Sequence, residues 1–88
     1  MTFRIALTPS ARRALTDQLP EAVATAVVEF IYGALAREPH RVGTPLRGEL
    51  TGWWSARRGA YRVLYAINDR DVVVTVVRID HRTSVYRT

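Results

Sequence analysis

The 88-residue chain contains no cysteine and only two histidines, His40 and His81. Without cysteine it can form no disulfide, no catalytic thiolate and no zinc site with sulfur ligands. Two histidines are too few for a histidine-based metal cluster, so we expect neither a metal nor any other cofactor. A chain of this length is expected to form one domain, residues 1–88, with no separate cofactor-binding half.

Long apolar runs are also missing. No stretch approaches the roughly 20 apolar residues that span a bilayer, and the start Met1-Thr2-Phe3-Arg4 lacks the basic and then apolar pattern of a signal peptide. We therefore expect a cytoplasmic protein without membrane association. Hydrophobic residues make up 48% of the chain and charged residues 24%, a balance typical of folded globular domains.

Lysine is absent as well, so all thirteen basic residues are arginine, and the net charge is +5. The excess lies toward the C-terminus, because residues 57–88 contain seven Arg and only three Asp. A guanidinium group binds phosphate through two parallel hydrogen bonds and stacks on bases. This composition favours a polyanionic partner, either nucleic acid or an acidic protein.

The hydrophobic pattern predicts an N-terminal strand followed by two helices. Residues 3–7 alternate as in a half-buried strand, and Thr8-Pro9 is typical of a helix start, with an N-cap followed by a first-turn proline. The first helix should run from about Pro9 to Leu19. Pro20 then begins a second helix with one apolar face, which Pro39 ends.

Three strands are predicted after an irregular segment. Residues 40–52 contain three glycines and one proline with little periodicity, so they are expected to form a loop or irregular strand. The strands follow at Trp53–Arg58, Tyr61–Asn68 and Val72–Ile79, joined by turn signals. The last is apolar on both faces and should therefore lie centrally, beside the N-terminal strand. The expected fold is α+β, a helical hairpin packed on a four-stranded, mainly antiparallel sheet.

Strand alternation predicts which side chains face away from the helices. In the strand from Tyr61, the odd-numbered residues should pack on the helices and Arg62 should point away. Trp53, Ser55 and Arg57 would join Arg62 on the open face, where arginine can neutralise phosphates and an aromatic ring can stack on bases. A shift of the alternation by one residue would instead bury Trp53. A separate alternative is that Arg57 and Arg62 only solvate the sheet.

Four segments of the sequence resemble the RelE/YoeB toxins, and the mycobacterial RelE-like proteins in particular. They are Pro45-Leu46-Arg47, Gly52-Trp53-Trp54-Ser55-Ala56-Arg57-Arg58, Tyr61-Arg62-Val63-Leu64-Tyr65 and His81-Arg82-Thr83-Ser84-Val85-Tyr86. The resemblance covers the whole chain and implies a RelE-like microbial RNase fold. It also implies the toxin of a type II toxin–antitoxin system, a metal-independent endoribonuclease that cuts mRNA in the ribosomal A site by attack of the 2′-hydroxyl group and so inhibits translation.

The resemblance implies specific roles near the C-terminus. Arg62 matches the family arginine that contacts the scissile phosphate, and Arg82 matches one that supports the same charge. Tyr86 matches the tyrosine that stacks on or orients the nucleotide, although it would otherwise simply pin the tail. Arg57 falls on a basic, substrate-facing position. We expect RNA contacts from a set of five residues: Arg57, Arg58, Trp53, Ser55 and Arg47.

The general base is not assigned by the resemblance. Trp53 and Ser55 occupy positions where the best-known RelE members have lysines, and Thr44 stands where the YoeB branch has a glutamate. His81 and Glu49 remain as candidates. Either one is otherwise an ordinary solvated turn histidine or surface glutamate.

The expected partners are a RelB-like antitoxin, the ribosomal A site and mRNA. In this family the antitoxin wraps the toxin with an extended, often acidic segment that folds on binding. Two alternatives remain, because the same fold serves ParE toxins that inhibit DNA gyrase, and because a member without catalysis would still bind RNA or its antitoxin. The set Arg62, Arg82 and Tyr86 favours the RelE function over the ParE function.

Overall fold

The computed structural model describes residues 2–81. Within them, helices cover one face of a five-stranded sheet in the order β1-β5-β4-β3-β2. The strands are β1 Arg4–Leu7, β2 Thr44–Pro45, β3 Trp53–Arg58, β4 Tyr61–Asn68 and β5 Val73–His81. β1 pairs with β5 in parallel, and the other three pairings are antiparallel. The predicted α+β class and the central position of the last strand are confirmed.

The sheet has one strand more than the four that the sequence predicted. β2 pairs with β3 through Thr44 opposite Ser55 and Pro45 opposite Trp54. Its two residues are both exposed, so it has no alternating apolar pattern by which it can be recognised. Proline lacks an N–H group and is confined to sheet edges, and β2 is an edge strand.

The helical hairpin forms as predicted, with π-helical turns at the ends of its helices. α1 (Pro9–Arg13) continues as a π-helical turn over Ala14–Gln18, and α2 (Glu21–Phe30) continues over Ile31–Leu35. The Oγ1 atom of Thr8 accepts a hydrogen bond from the backbone N–H of Ala11 at 3.2 Å and caps α1. The predicted irregular segment contains a short helix, α3 (Pro39–Val42), and a 3-10 turn at Gly48–Leu50.

The core lies between the helices and one face of the sheet. Val63 and Tyr65 of β4 are fully buried, and Ala56 of β3 is only 1% exposed. Trp54 stacks on Tyr65 with ring centroids 6.4 Å apart, and the Tyr65 hydroxyl donates a hydrogen bond to the carbonyl oxygen of Pro39 at 2.7 Å. The predicted alternation of β3 and β4 is therefore confirmed, and it is Trp54 rather than Trp53 that packs on the core.

Candidate functional site

The sheet face opposite the helices, which we call the open face, carries charged side chains in cross-strand rows. Arg57 of β3 lies opposite Arg62 of β4, and Arg62 lies opposite Asp80 of β5. Neighbouring strands are about 4.8 Å apart, so these three residues form one row across the sheet. The adjacent row consists of Ser55, Leu64 and Arg78.

Arg57 and Arg62 form a like-charged pair. Both residues are exposed, and within residues 2–81 no carboxylate lies within ion-pair distance of either guanidinium group. Like charges directly opposite each other destabilise a sheet. A bound anion would remove this repulsion, and phosphate and carboxylate are the anions that a guanidinium group binds through two parallel hydrogen bonds.

A cleft of about 480 Å³ adjoins this pair. It is lined by residues from the end of α3 to just after β2 and by residues of β3 and β4: Val42, Gly43, Thr44, Leu46, Ser55, Arg57, Arg58 and Arg62. The cleft combines hydroxyl groups, guanidinium groups and a short apolar wall. Its volume falls within the ordinary range of ligand sites.

Arg58 also lines the cleft, but it is held by contacts within the protein. Its guanidinium group donates hydrogen bonds to the carbonyl oxygens of Arg57 at 2.8 Å and Val42 at 3.3 Å. It lies 4.8 Å from the centre of the Phe30 ring, a cation–π contact. Arg58 therefore connects the end of β3 to the helices and to the segment before β2, and its predicted contact with RNA stays a prediction.

Two charged residues of the open face, Arg78 and Asp80, were not expected from the sequence. The Nε atom of Arg78 donates a hydrogen bond to Oδ1 of Asp80 at 2.8 Å. This hydrogen bond, together with the negative charge of Asp80, raises the pKa of Arg78. The predicted strand ended at Ile79, and a register shift between Leu64 and Tyr65 alters the pairing of β4 with β5. Sequence alternation alone therefore did not align Asp80 with Arg62.

The structure does not bring the two candidate bases to Arg62. His81 is only 9% exposed and lies opposite Tyr61 in the β4–β5 pairing, on the helix side of the sheet, where Tyr61 contacts Phe30. Glu49 is exposed in the 3-10 turn and lies outside the cross-strand row of Arg57, Arg62 and Asp80. Within residues 2–81, no three His, Asp or Glu side chains are grouped so as to hold a metal ion.

The remaining predicted residues occupy different places. Trp53 is half-buried and lies opposite Ala66 on the open face. Arg47 is exposed and precedes the 3-10 turn, next to Leu46, whose N–H donates to the carbonyl oxygen of Trp53 at 2.8 Å. Arg82 and Tyr86 lie outside the described residues.

No helix within residues 2–81 is long and apolar enough to cross a membrane. The open face presents arginines from three adjacent strands: Arg57, Arg62 and Arg78.

Comparison with known proteins identifies relatives along nearly the whole chain. The family model described as the ParE toxin of the type II toxin–antitoxin system parDE matches residues 5–86. Toxin RelG of Mycobacterium tuberculosis is 52% identical over 87 residues, which is 99% of each chain. Toxin RelE of the same organism is 48% identical, covering 97% of this chain and 87% of the relative.

A solved structure agrees with these matches. The crystal structure of the toxin–antitoxin complex RelBE2 from Mycobacterium tuberculosis contains a chain that is 51% identical and superposes with a TM-score of 0.90, covering 93% of this chain and 100% of the matched one. The α+β architecture described above is therefore the RelE-like fold. The chain belongs to the RelE/ParE family and is a RelE-type toxin of a type II toxin–antitoxin system.

Proposed function

We propose that this toxin is a ribosome-dependent endoribonuclease that cleaves mRNA in the A site and thereby inhibits translation. The observation that carries this proposal is the like-charged pair of Arg57 and Arg62 beside an open cleft. The pair costs the fold free energy, and an RNA phosphate bound there would offset that cost. Trp53, on the same face, supplies a ring on which a base can stack.

The proposed reaction is metal-independent attack of a ribose 2′-hydroxyl group on the adjacent phosphate. Negative charge then accumulates on the pentavalent phosphorus, and Arg62 would stabilise it, supported by Arg57 and Arg82. Positioned donors of this kind typically contribute a factor of about 100 to 1,000 to the rate. Tyr86 would orient the nucleotide, and Arg47 and Ser55 would add contacts along the strand of RNA.

We also propose that a RelB-like antitoxin neutralises this toxin in the cytoplasm, where its mRNA substrate lies. The related RelBE2 structure is a toxin–antitoxin complex, and the net charge of +5 on this chain suits an acidic partner segment. The family match extends over residues 5–86, which supports one domain over residues 1–88.

The test is to add the purified toxin to translating ribosomes and to map the 5′ ends of the mRNA by primer extension. Wild-type protein should give sharp cuts in the A site, and Arg62→Ala and Arg82→Ala should each reduce the cleavage rate by about 100-fold or more. Arg70→Ala is the matched control, because it removes the same charge from the exposed turn between β4 and β5.

Intact mRNA in the wild-type reaction would contradict the proposal. Because the matching family model carries the ParE description, the same preparation should then be tested for inhibition of DNA supercoiling by gyrase. Inhibition would assign the chain a ParE-like function. The absence of both activities, together with retained binding of RNA or antitoxin, would indicate a member without catalysis.

A further inference from the structure

Asp80 differs from the other acidic residues in the described part of the chain because it lies in a β-strand. Within residues 2–81, it is the only Asp or Glu in a strand, since the others lie in helices, turns or connecting residues. It lies opposite Arg62 in the β4–β5 pairing and therefore on the open face. A carboxylate thus stands next to the arginine for which we propose contact with the scissile phosphate.

The side chain of Asp80 is mostly buried and hydrogen-bonded. Its Oδ1 atom accepts the hydrogen bond from Nε of Arg78 at 2.8 Å, and the side chain is only 22% exposed. Arg78 thereby acts as a positioning residue for Asp80. Within residues 2–81, the hydrogen bond from Arg78 is the one bond formed by the Asp80 carboxylate, so Oδ2 remains able to accept a proton.

We propose that Asp80 is the general base of the cleavage reaction, an inference that rests on the proposed function. The Oδ2 atom accepts the proton of the 2′-hydroxyl group as the 2′-oxygen forms its bond to phosphorus. The bond from phosphorus to the 5′-oxygen then breaks, and that oxygen takes a proton from water. The carboxyl group returns its proton to the hydroxide so formed, which leaves a 2′,3′-cyclic phosphate, a 5′-hydroxyl end and no net change in protons.

The charges around Asp80 allow a carboxylate to lie this close to a phosphate. Arg62 and Arg57 face it from β4 and β3, and Arg78 faces it from its own strand. Three guanidinium groups against one carboxylate leave these two adjacent rows with net positive charge. The open face can therefore bind the anionic substrate and still hold a proton acceptor within it, which His81 and Glu49 do not provide from their positions.

The direct test is Asp80→Asn in the ribosome-programmed cleavage assay. The asparagine carbonyl oxygen can still accept the hydrogen bond from Arg78, so the local geometry is retained while the base is removed. The kcat should fall by about 100-fold to 10,000-fold, the range over which a general base contributes. The KM should stay the same or decrease, because a negative charge next to the phosphate is gone. Asp17→Asn, at an exposed site in the helical hairpin, is the charge-matched control.

The pH profile distinguishes a base from a structural residue. Over the pH range in which the ribosome stays intact, the rate of Asp80→Asn should rise by about tenfold per pH unit, because hydroxide replaces the missing base. The wild-type rate should rise less steeply. Asp80→Glu, which keeps a carboxylate and lengthens its reach, should recover part of the rate and the wild-type profile.

Two results would overturn the role of Asp80 as the general base. Cleavage by Asp80→Asn within threefold of wild type would overturn the proposal, as would a slow variant whose pH profile parallels that of wild type. If Asp80→Asn does not fold, Asp80→Glu decides instead. This variant moves the carboxylate by one methylene group, so a cleavage rate equal to that of wild type would contradict the role of a base. Wild-type protein that leaves mRNA intact would instead refute the proposed function, and this inference with it.

Discussion

Arg57 and Arg62 lie directly opposite each other across the β3–β4 hairpin, on the sheet face that the helices leave open. Within residues 2–81, neither forms an ion pair. A cross-strand pair of like charges opposes the pairing of the strands that carry it. The stability of this hairpin and its ability to bind an anion are therefore expected to change in opposite directions when the charge of Arg57 is removed.

Arg57→Gln should increase the free energy of unfolding by about 0.5 kcal/mol, because it removes the repulsion from Arg62. The same substitution should weaken binding of RNA, since it removes one of the proposed phosphate contacts. Urea denaturation measures the first effect and fluorescence titration with an RNA oligonucleotide the second. Arg70→Gln should change neither by a comparable amount. Loss of stability in Arg57→Gln would contradict this account of the pair.

The two adjacent tryptophans should respond differently to substitution. Trp54→Ala should destabilise the fold by about 3 kcal/mol, because Trp54 stacks on Tyr65 and packs on the core. Trp53→Ala should cost much less stability but weaken RNA binding by about 1 kcal/mol or more, since Trp53 lies on the open face. Thermal unfolding and oligonucleotide titration of both variants test this prediction. Equal effects on stability would refute the assignment of the two faces.

Gly43 is expected to tolerate no larger side chain. A Cβ atom at this position would overlap the Tyr65 hydroxyl and would lie 2.9 Å from the carbonyl oxygen of Ser55. Gly43→Ala should therefore destabilise the fold by about 1 to 3 kcal/mol, measured by denaturant unfolding. Gly33→Ala is the matched control, because its Cβ would meet only the end of the Arg37 side chain at 3.8 Å. It should stabilise the helix by up to about 1 kcal/mol.

Because Tyr65 is buried, the folded protein is expected to lose stability at alkaline pH. Burial raises the pKa of Tyr65 from 10.0 to about 12, although the charge of Arg58 opposes the shift. The unfolded chain therefore loses this proton at lower pH than the folded chain does. The contribution of Tyr65 to stability is complete below pH 10 and is lost as the pH rises through about 12, at a rate of about 1.4 kcal/mol per pH unit.

Tyr65→Phe tests this linkage. At pH 8 the variant should be about 1 kcal/mol less stable than wild type, because the hydrogen bond to Pro39 is lost. Between pH 10 and pH 11 the wild type should lose stability faster than the variant, and the difference between them should narrow. Unfolding curves that shift in parallel over this range would show that Tyr65 does not ionise as described.

The main elements of the fold could be predicted from the sequence because their local signals agree with the tertiary structure. Thr8 and Pro9 mark the start of α1, and the alternation along β3 and β4 places Trp54 in the core and Arg57 on the open face. The edge strand β2 could not be predicted, since two exposed residues that include Pro45 carry no periodicity.

Only part of the candidate site could be predicted from the sequence. Arg57 and Arg62 were aligned by simple alternation across one tight hairpin. Asp80 was not aligned with them, because its position depends on how far β5 extends and on the register shift near Leu64. Such long-range features are set by the packing of the sheet and leave no mark in the local sequence.

The most direct test of the central claim uses an mRNA that carries a single 2′-deoxynucleotide at the position of the A-site cut. If the open face catalyses attack by the 2′-hydroxyl group, the unmodified mRNA should be cut to a fragment ending in a 2′,3′-cyclic phosphate. The modified mRNA should remain whole at that position in the same ribosome-programmed reaction. Cleavage of the modified mRNA at that position, or no cleavage of either mRNA, would contradict the account.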